Sequence, residues 1–308
     1  MASGKRCISR LALGLTLASS SAGQLLAQSP APPQPGVEKA SAVTPTTHTS
    51  SRPEPIGLEQ VETGHALLPV IQYARKEQAY LRQAVRDFTC RLVKRERIHG
   101  ILQDHQYIDL WVREEVRSGQ RAVVPLSIYM EFLAPKNVSG RRVLFVNGQN
   151  DGKMLVRNGG KHFDYVVVDV DPFGESAKEE SLVPVTETGF NQILTQMIAV
   201  LERHATADPT GQNTRVEQVS GAKLDKRPCK VIRITHPRHQ PGFEFHQANV
   251  FVDDELHVPV RVDYADFPAH EGGTPPLIAE YTYTNLKMNV GLSEASFSPR
   301  LLRAKRAK

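Results

Sequence analysis

Two short stretches alternate strictly between apolar and polar residues, and this constrains the fold more than any other feature of the chain. In residues 107–113, Ile108, Leu110 and Val112 alternate with Tyr107, Asp109, Trp111 and Arg113; in 126–132, Leu126, Ile128, Met130 and Phe132 alternate with Ser127, Tyr129 and Glu131. A period of two puts each set on its own face, so both stretches read as strands with one apolar face. Further β segments are expected at 214–219, 229–235, 243–252, 258–264 and 278–288. Ile98-His99-Gly100-Ile101 and Asn150-Asp151-Gly152-Lys153 read as tight hairpin turns, Asp253-Asp254-Glu255 as another, and 267–276 as a longer Gly/Pro-rich hairpin loop. The expectation is one mainly β (α+β) domain built on an antiparallel, meandering sheet.

Two helices interrupt this pattern. In 58–85, Leu67, Ile71, Ala74, Leu81 and Val85 recur at helical spacing and form one stripe. The second is clearer: Phe190, Ile193, Leu194, Met197, Ile198 and Leu201 fall at i, i+3, i+4, i+7, i+8 and i+11. Thr188 is the expected cap, and Arg203-His204 supply basic side chains suited to the C terminus. A large antiparallel sheet with only two substantial helices has a covering problem. If the sheet curves, its apolar concave face must be filled by side chains, by a helix or by a ligand. The wide stripe of the second helix is suited to that face.

The N terminus has its own logic. Lys5, Arg6 and Arg10 precede an apolar run from Leu11 to Leu26, with no acidic residue, which is the layout of a secretory signal peptide. Cleavage is expected after Ala27, with Ala22 as the alternative, and Cys7 precedes the run, so it is not placed as a lipoprotein cysteine. Residues 28–57 are rich in Pro, Ser, Thr and Ala and read as a tether that cannot bury enough surface to order itself. The domain is expected over 58–299 and a basic tail over 300–308. The leader holds three of the 38 Lys and Arg and none of the 33 Asp and Glu, so the chain beyond it carries +2. Removing the five cations of the tail leaves the body at −3. Nucleic-acid binding by that body is not expected, since it rests on neutralising phosphates. The tail is either a solvated end or a peripheral contact to an anionic membrane surface.

Beyond the leader only Cys90 and Cys229 remain. Export would meet an oxidising compartment, so one long-range bridge and two separate buried thiols are both open readings. Neither cysteine belongs to a zinc-binding spacing.

The segments Asp87-Phe88-Thr89-Cys90-Arg91-Leu92-Val93-Lys94-Arg95-Glu96-Arg97, Val143-Leu144-Phe145-Val146-Asn147-Gly148 with Asn150-Asp151-Gly152-Lys153, and Leu256-His257-Val258-Pro259-Val260-Arg261 carry a resemblance. So does the closing run from Tyr281-Thr282-Tyr283-Thr284-Asn285-Leu286 through Asn289-Val290-Gly291-Leu292 to Phe297. Over residues 58–299 the chain resembles a bacterial envelope family of unknown function whose core is similar to the LolA/LolB-like carriers of lipoproteins and lipids. The resemblance implies a half-open β-barrel of about eleven strands, helices lying in or over its mouth, and an apolar cavity that holds acyl chains. It transfers no catalytic residue, and the arginine that helps such carriers hold their cargo has no matching position here.

Other residues raise rival chemistry. His236, His239, His246 and His257, with Asp253, Asp254 and Asp263 nearby, raise a metal or hydrolase reading, but His236-Pro237-Arg238-His239 is no helical ligand pair, and exposed turn or strand histidines are expected. The 147–152 segment has a glycine where a calcium loop wants one, but Asn158 stands where the bidentate Glu would be. Asp169 and Asp171 read as turn and cap residues rather than an acid–base pair. Ser127, Ser176 and Ser181 lie in no nucleophile elbow, and no phosphate loop is present. No catalytic residue, metal or cofactor is expected. The residues expected to line a ligand cavity are Ile108, Leu110, Val112, Ile128, Met130, Phe132, Phe190, Leu194 and Met197. The expected occupant is a lipid or acylated molecule, with an envelope protein as a further partner, in a periplasmic or secreted protein. The alternative is a structural or interaction module whose core is filled.

Overall fold

A computed structural model describes residues 37–39, 64–159 and 166–303. The expected leader (1–27), most of the tether and the last residues of the tail lie outside the described residues.

Among the described residues thirteen strands form one antiparallel sheet. In chain order they are β1 (Val37–Lys39), β2 (Asp87–Ile98), β3 (Ile101–Leu102), β4 (Gln106–Arg113), then, after a separate hairpin of β5 (Val116–Ser118) and β6 (Arg121–Val124), β7 (Ser127–Ala134) and β8 (Arg142–Val146). They continue as β9 (Met154–Arg157), β10 (Val167–Val170), β11 (Arg215–Leu224), β12 (Arg227–Thr235), β13 (Gln247–Asp253), β14 (Pro259–Ala265) and β15 (Leu277–Met288). The spatial order is β1-β11-β12-β13-β14-β15-β2-β4-β7-β8-β9-β10, with β3 paired to β2. Almost every neighbour is a sequence neighbour, as in a meander. The exceptions matter: β15 pairs with β2, from Ala279 opposite Glu96 to Met288 opposite Phe88, and this seam joins the two halves of the chain. The path ends at β1 on one side and β10 on the other, so the curved sheet is a half-open barrel rather than a closed one. Val37–Lys39, from within the segment read as a tether, form the short edge strand.

Alternation explains which face each strand turns inward. On β2 the even residues Phe88, Cys90, Leu92, Lys94, Glu96 and Ile98 are all buried, and on β4 Ile108, Leu110 and Val112 are. Bulges between Val219 and Ala222, and between Thr284 and Lys287, interrupt two ladders. Gly221 and Asn285 take positive φ there, a local geometry that bends strands and lets the sheet curl. The hairpin turns fall where expected, with His99-Gly100 and Asn150-Asp151-Gly152 all at positive φ.

Two long helices, α1 (Leu67–Ala84) and α3 (Phe190–Ala207), pack against each other over the concave face, with a short α2 (Glu175–Lys178) before α3. α3 buries Phe190, Leu194, Ile198 and Leu201 on one stripe. Phe190 has no exposed surface and packs its ring at a tilt, 4.4 Å from that of Phe88 on β2 and 5.5 Å from that of Tyr283 on β15. Burying it contributes about 2–3 kcal/mol.

A smaller cluster covers the back of the sheet. Tyr129, Leu144 and Val146 pack there with Phe297 and Leu302 from the C-terminal segment, which ends in α4 (Arg300–Arg303). Arg142 and Arg157 donate to the Leu301 and Leu302 carbonyls at 2.9 and 3.0 Å. The docked chain therefore runs past Pro299 into the first residues of the basic tail.

Candidate functional site: an apolar cavity under two helices

The concave face and the two helices enclose a cavity of about 650 Å³, within the range of small-molecule sites. α3 contributes Ile193, Leu194, Met197 and Val200, and α1 contributes Val70, Tyr73 and Ala74. The sheet contributes side chains from β2, β4 and β7 through β10 on one side and from β12 through β15 on the other, and residues 172–188 add to the lining. Most of these side chains are aliphatic or aromatic.

Of the nine residues expected to line it, Ile108, Met130, Phe132, Leu194 and Met197 do. Leu110, Val112, Ile128 and Phe190 share their faces but do not reach the cavity, because they sit where α3 packs directly on the sheet and side chains fill the space. Alternation identifies a face and not a depth along it.

The helices are held by polar contacts at their margins. Gln78 Nε2 donates to the Asn191 carbonyl at 3.0 Å and to Thr195 Oγ1 at 2.6 Å, joining α1 to α3. His257 Nδ1 lies 3.1 Å from Glu77 Oε2, joining α1 to the turn after β13. The α3 cap differs from expectation. Thr188 turns back to donate to the Val185 carbonyl, and Gly189 occupies the N-cap position with no side-chain bond of its own. The acceptor comes instead from Glu114, just beyond β4, whose Oε1 receives the Asn191 N–H at 3.4 Å.

One polar group was missed in the sequence. Lys94 and Glu96, on the inward face of β2, are buried, and Lys94 Nζ donates to Glu96 Oε2 and Ser181 Oγ, both at 2.8 Å. Tyr281 donates to Glu96 Oε1 at 2.6 Å. Burial pushes the Tyr281 phenol far up, and that of Tyr264 beside it up to about 12. The period of two running on from Leu92 through Lys94 to Glu96 was the available signal.

The histidines correct another expectation. His236 is fully buried rather than exposed, stacked at 3.8 Å on Phe243, because the 237–246 loop folds over it. Its Nε2 lies 2.9 Å from Nδ1 of His204, which is also fully buried and therefore not a cationic helix end. The Glu244 N–H donates to His204 Nε2, so His204 carries its proton on Nδ1 and gives it to His236. Burial pushes both rings down to about 4, assisted by Arg203 beside His204 and by His204 beside His236. His239 and His246 edge onto Phe267 instead. Among the described residues no three His, Cys, Asp or Glu side chains are placed to hold a metal ion.

Asp169 accepts from Asn150 Nδ2 at 2.8 Å and Asp171 accepts the Phe173 N–H at 2.9 Å, so both serve turns. Asp253 pairs with Arg227 and accepts the N–H groups of Glu255 and Leu256 at 2.9 and 2.8 Å, which shapes the turn between β13 and β14. Cys90 and Cys229 are free buried thiols on strands separated by β13, β14 and β15. Among the described residues no helix is long and apolar enough to cross a membrane.

Solved structures that align with the chain include MucB, over 74% of this chain and 62% of its own at 14% identity and a TM-score of 0.43. This chain thus spans less than two thirds of MucB. The LolA superfamily protein of Nitrosomonas europaea aligns over 75% of this chain and 98% of its own at 8% identity and a TM-score of 0.31. The lipoprotein LppX of Mycobacterium tuberculosis aligns over 73% and 98% at 12% identity and a TM-score of 0.36. No curated protein matches the chain in sequence. A family of proteins of unknown function, DUF1571, matches residues 85–303, from the start of the first long strand to the helix that covers the back of the sheet, and the chain belongs to that family.

Proposed function

We propose that this protein binds an apolar ligand, a lipid or acylated molecule, in the cavity between the concave sheet and the two helices, and that it does so without catalysis. The observation that carries this reading is the cavity itself: about 650 Å³ remains open beside α3, walled mainly by aliphatic and aromatic side chains. A module with a filled core would have no such space. Ile108, Met130, Phe132, Leu194 and Met197 are the proposed ligand contacts, with Leu110, Val112, Ile128 and Phe190 as the packed support behind them. Export through residues 1–27 to a periplasmic or extracellular setting, where an envelope protein hands over or receives the ligand, belongs to the same proposal.

The test is native mass spectrometry of the protein purified from the cells that make it, followed by solvent extraction. A bound mass that extracts as a lipid is the expected result. An apo mass, together with failure to take up a fluorescent apolar probe, would overturn the reading.

A further inference from the structure

A polar row crosses the cavity, and its register is explicit. Tyr281 on β15, Lys94 on β2 and Gln106 on β4 are direct cross-strand partners, and all three line the cavity, so they form a row across its floor. Cross-strand partners stand about 5 Å apart. Ser181, from the segment between β10 and α3, meets the row from the opposite side.

The row is electrically closed. The Lys94 ammonium is matched by Glu96, which also receives the Tyr281 hydroxyl. The other cations of the lining are matched too: Arg141 pairs with Glu180 at 2.8 Å, and Arg203 Nε with Glu244 at 2.9 Å. An anionic head would compete with Glu96 for Lys94 and leave a buried carboxylate short of its partner, which is strongly unfavourable. One group in the row is unsatisfied. The side-chain oxygen of Gln106 is buried and meets no donor. A hydroxyl both donates and accepts, so it satisfies this amide in either orientation.

We infer that the Tyr281–Lys94–Gln106 row is a headgroup site for an uncharged, hydroxyl-bearing amphiphile, whose chain lies along the apolar remainder of the cavity. This inference rests on the ligand-binding reading above and names the ligand class.

The test uses the full chain and displacement of the uncharged dye 1-N-phenylnaphthylamine. The probes are 1-monopalmitoylglycerol, its 3-phosphate, which differs only by the charged group, and hexadecane. Monopalmitoylglycerol is expected to displace the dye at concentrations about tenfold below its phosphate, the scale of one mismatched buried charge or hydrogen bond. Gln106→Leu, which puts an apolar side chain in a largely apolar wall, is expected to weaken monopalmitoylglycerol about fivefold while hexadecane binds as before. Equal or tighter binding of the phosphate, or an unchanged preference in Gln106→Leu, overturns the headgroup site and leaves apolar binding standing. Failure of the dye and of all three probes to bind overturns both.

Discussion

Glu114 caps a helix that begins 76 residues after it in sequence: its Oε1 accepts the backbone N–H of Asn191 at 3.4 Å, in the first turn of α3. The carboxyl is 1% exposed, and its second oxygen is buried without a partner. Burial raises its pKa, and the Asn191 side chain together with the Asn191 and Phe190 N–H groups holds it back only in part. The strand that floors the cavity therefore also positions the helix that roofs it.

Removing that acceptor strips the α3 N terminus. Glu114→Ala is expected to lose about 1–2 kcal/mol, and the midpoint of thermal unfolding should fall by a few degrees. Because the folded-state pKa is raised, ionisation disfavours the fold, and stability contributed by the neutral form declines as pH rises through that pKa. Glu114→Gln keeps an acceptor without the charge, so it should match or exceed the parent at pH 8. A Gln variant as unstable as the Ala variant there would contradict the cap.

The histidine pair sets an acid limit. Both rings have folded pKa values of about 4 against an ordinary 6.5, so the unfolded chain binds more protons between those values. Their contribution is complete above about pH 6.5 and is lost as pH falls toward 4, on the order of 3 kcal/mol for each ring. Urea midpoints measured from pH 7.5 to 4.5 should fall steeply. His204→Gln with His236→Gln should start lower at pH 7.5 and show a flatter slope.

Filling the cavity should abolish loading without unfolding the protein. Met197→Trp adds a large side chain to the cavity wall, and open space there accepts it with little strain. Retention of an apolar probe is expected to drop at least about tenfold, while the thermal midpoint shifts by no more than a few degrees. Undiminished probe binding would place the ligand elsewhere.

The turn between β13 and β14 depends on Asp253, whose side chain is fully buried. Asp253→Ala leaves two turn N–H groups without their acceptor and Arg227 with Glu255 alone, and is expected to cost about 2–4 kcal/mol in chemical denaturation. Asp253→Asn, which restores an acceptor, should recover part of that loss.

Legibility in the sequence followed the range over which each signal acts. The α3 stripe and the alternation of β4 are local patterns, and the structure buries Phe190, Leu194, Ile198 and Leu201 of the one and Ile108, Leu110 and Val112 of the other; on β7 the cluster behind the sheet buries Tyr129 as well as the inward face. The hairpin turns at His99-Gly100 and Asn150-Asp151-Gly152 were equally local. The α3 cap was not, since Thr188 is adjacent in sequence while Glu114 arrives from another strand. The Lys94 cluster draws Gln106, Ser181 and Tyr281 from three distant segments, and nothing at Lys94 alone distinguishes it from a surface lysine. His236 looked exposed because its burial is imposed by Phe243, on a loop whose path the sequence does not specify. Similarly, Leu110 and Met130 occupy one face, yet only Met130 meets open space, because depth depends on where α3 lands.

The seam between β15 and β2 also bears on how the protein is made. Glu96 waits for Ala279, so the N-terminal strands present an unpaired edge until nearly the whole chain is available. Pairing across so long a loop is slow. The floor of the cavity is completed by the last strand to arrive, which makes Tyr281 and its neighbours a checkpoint for assembly: no ligand can be enclosed by a chain that is still unfinished.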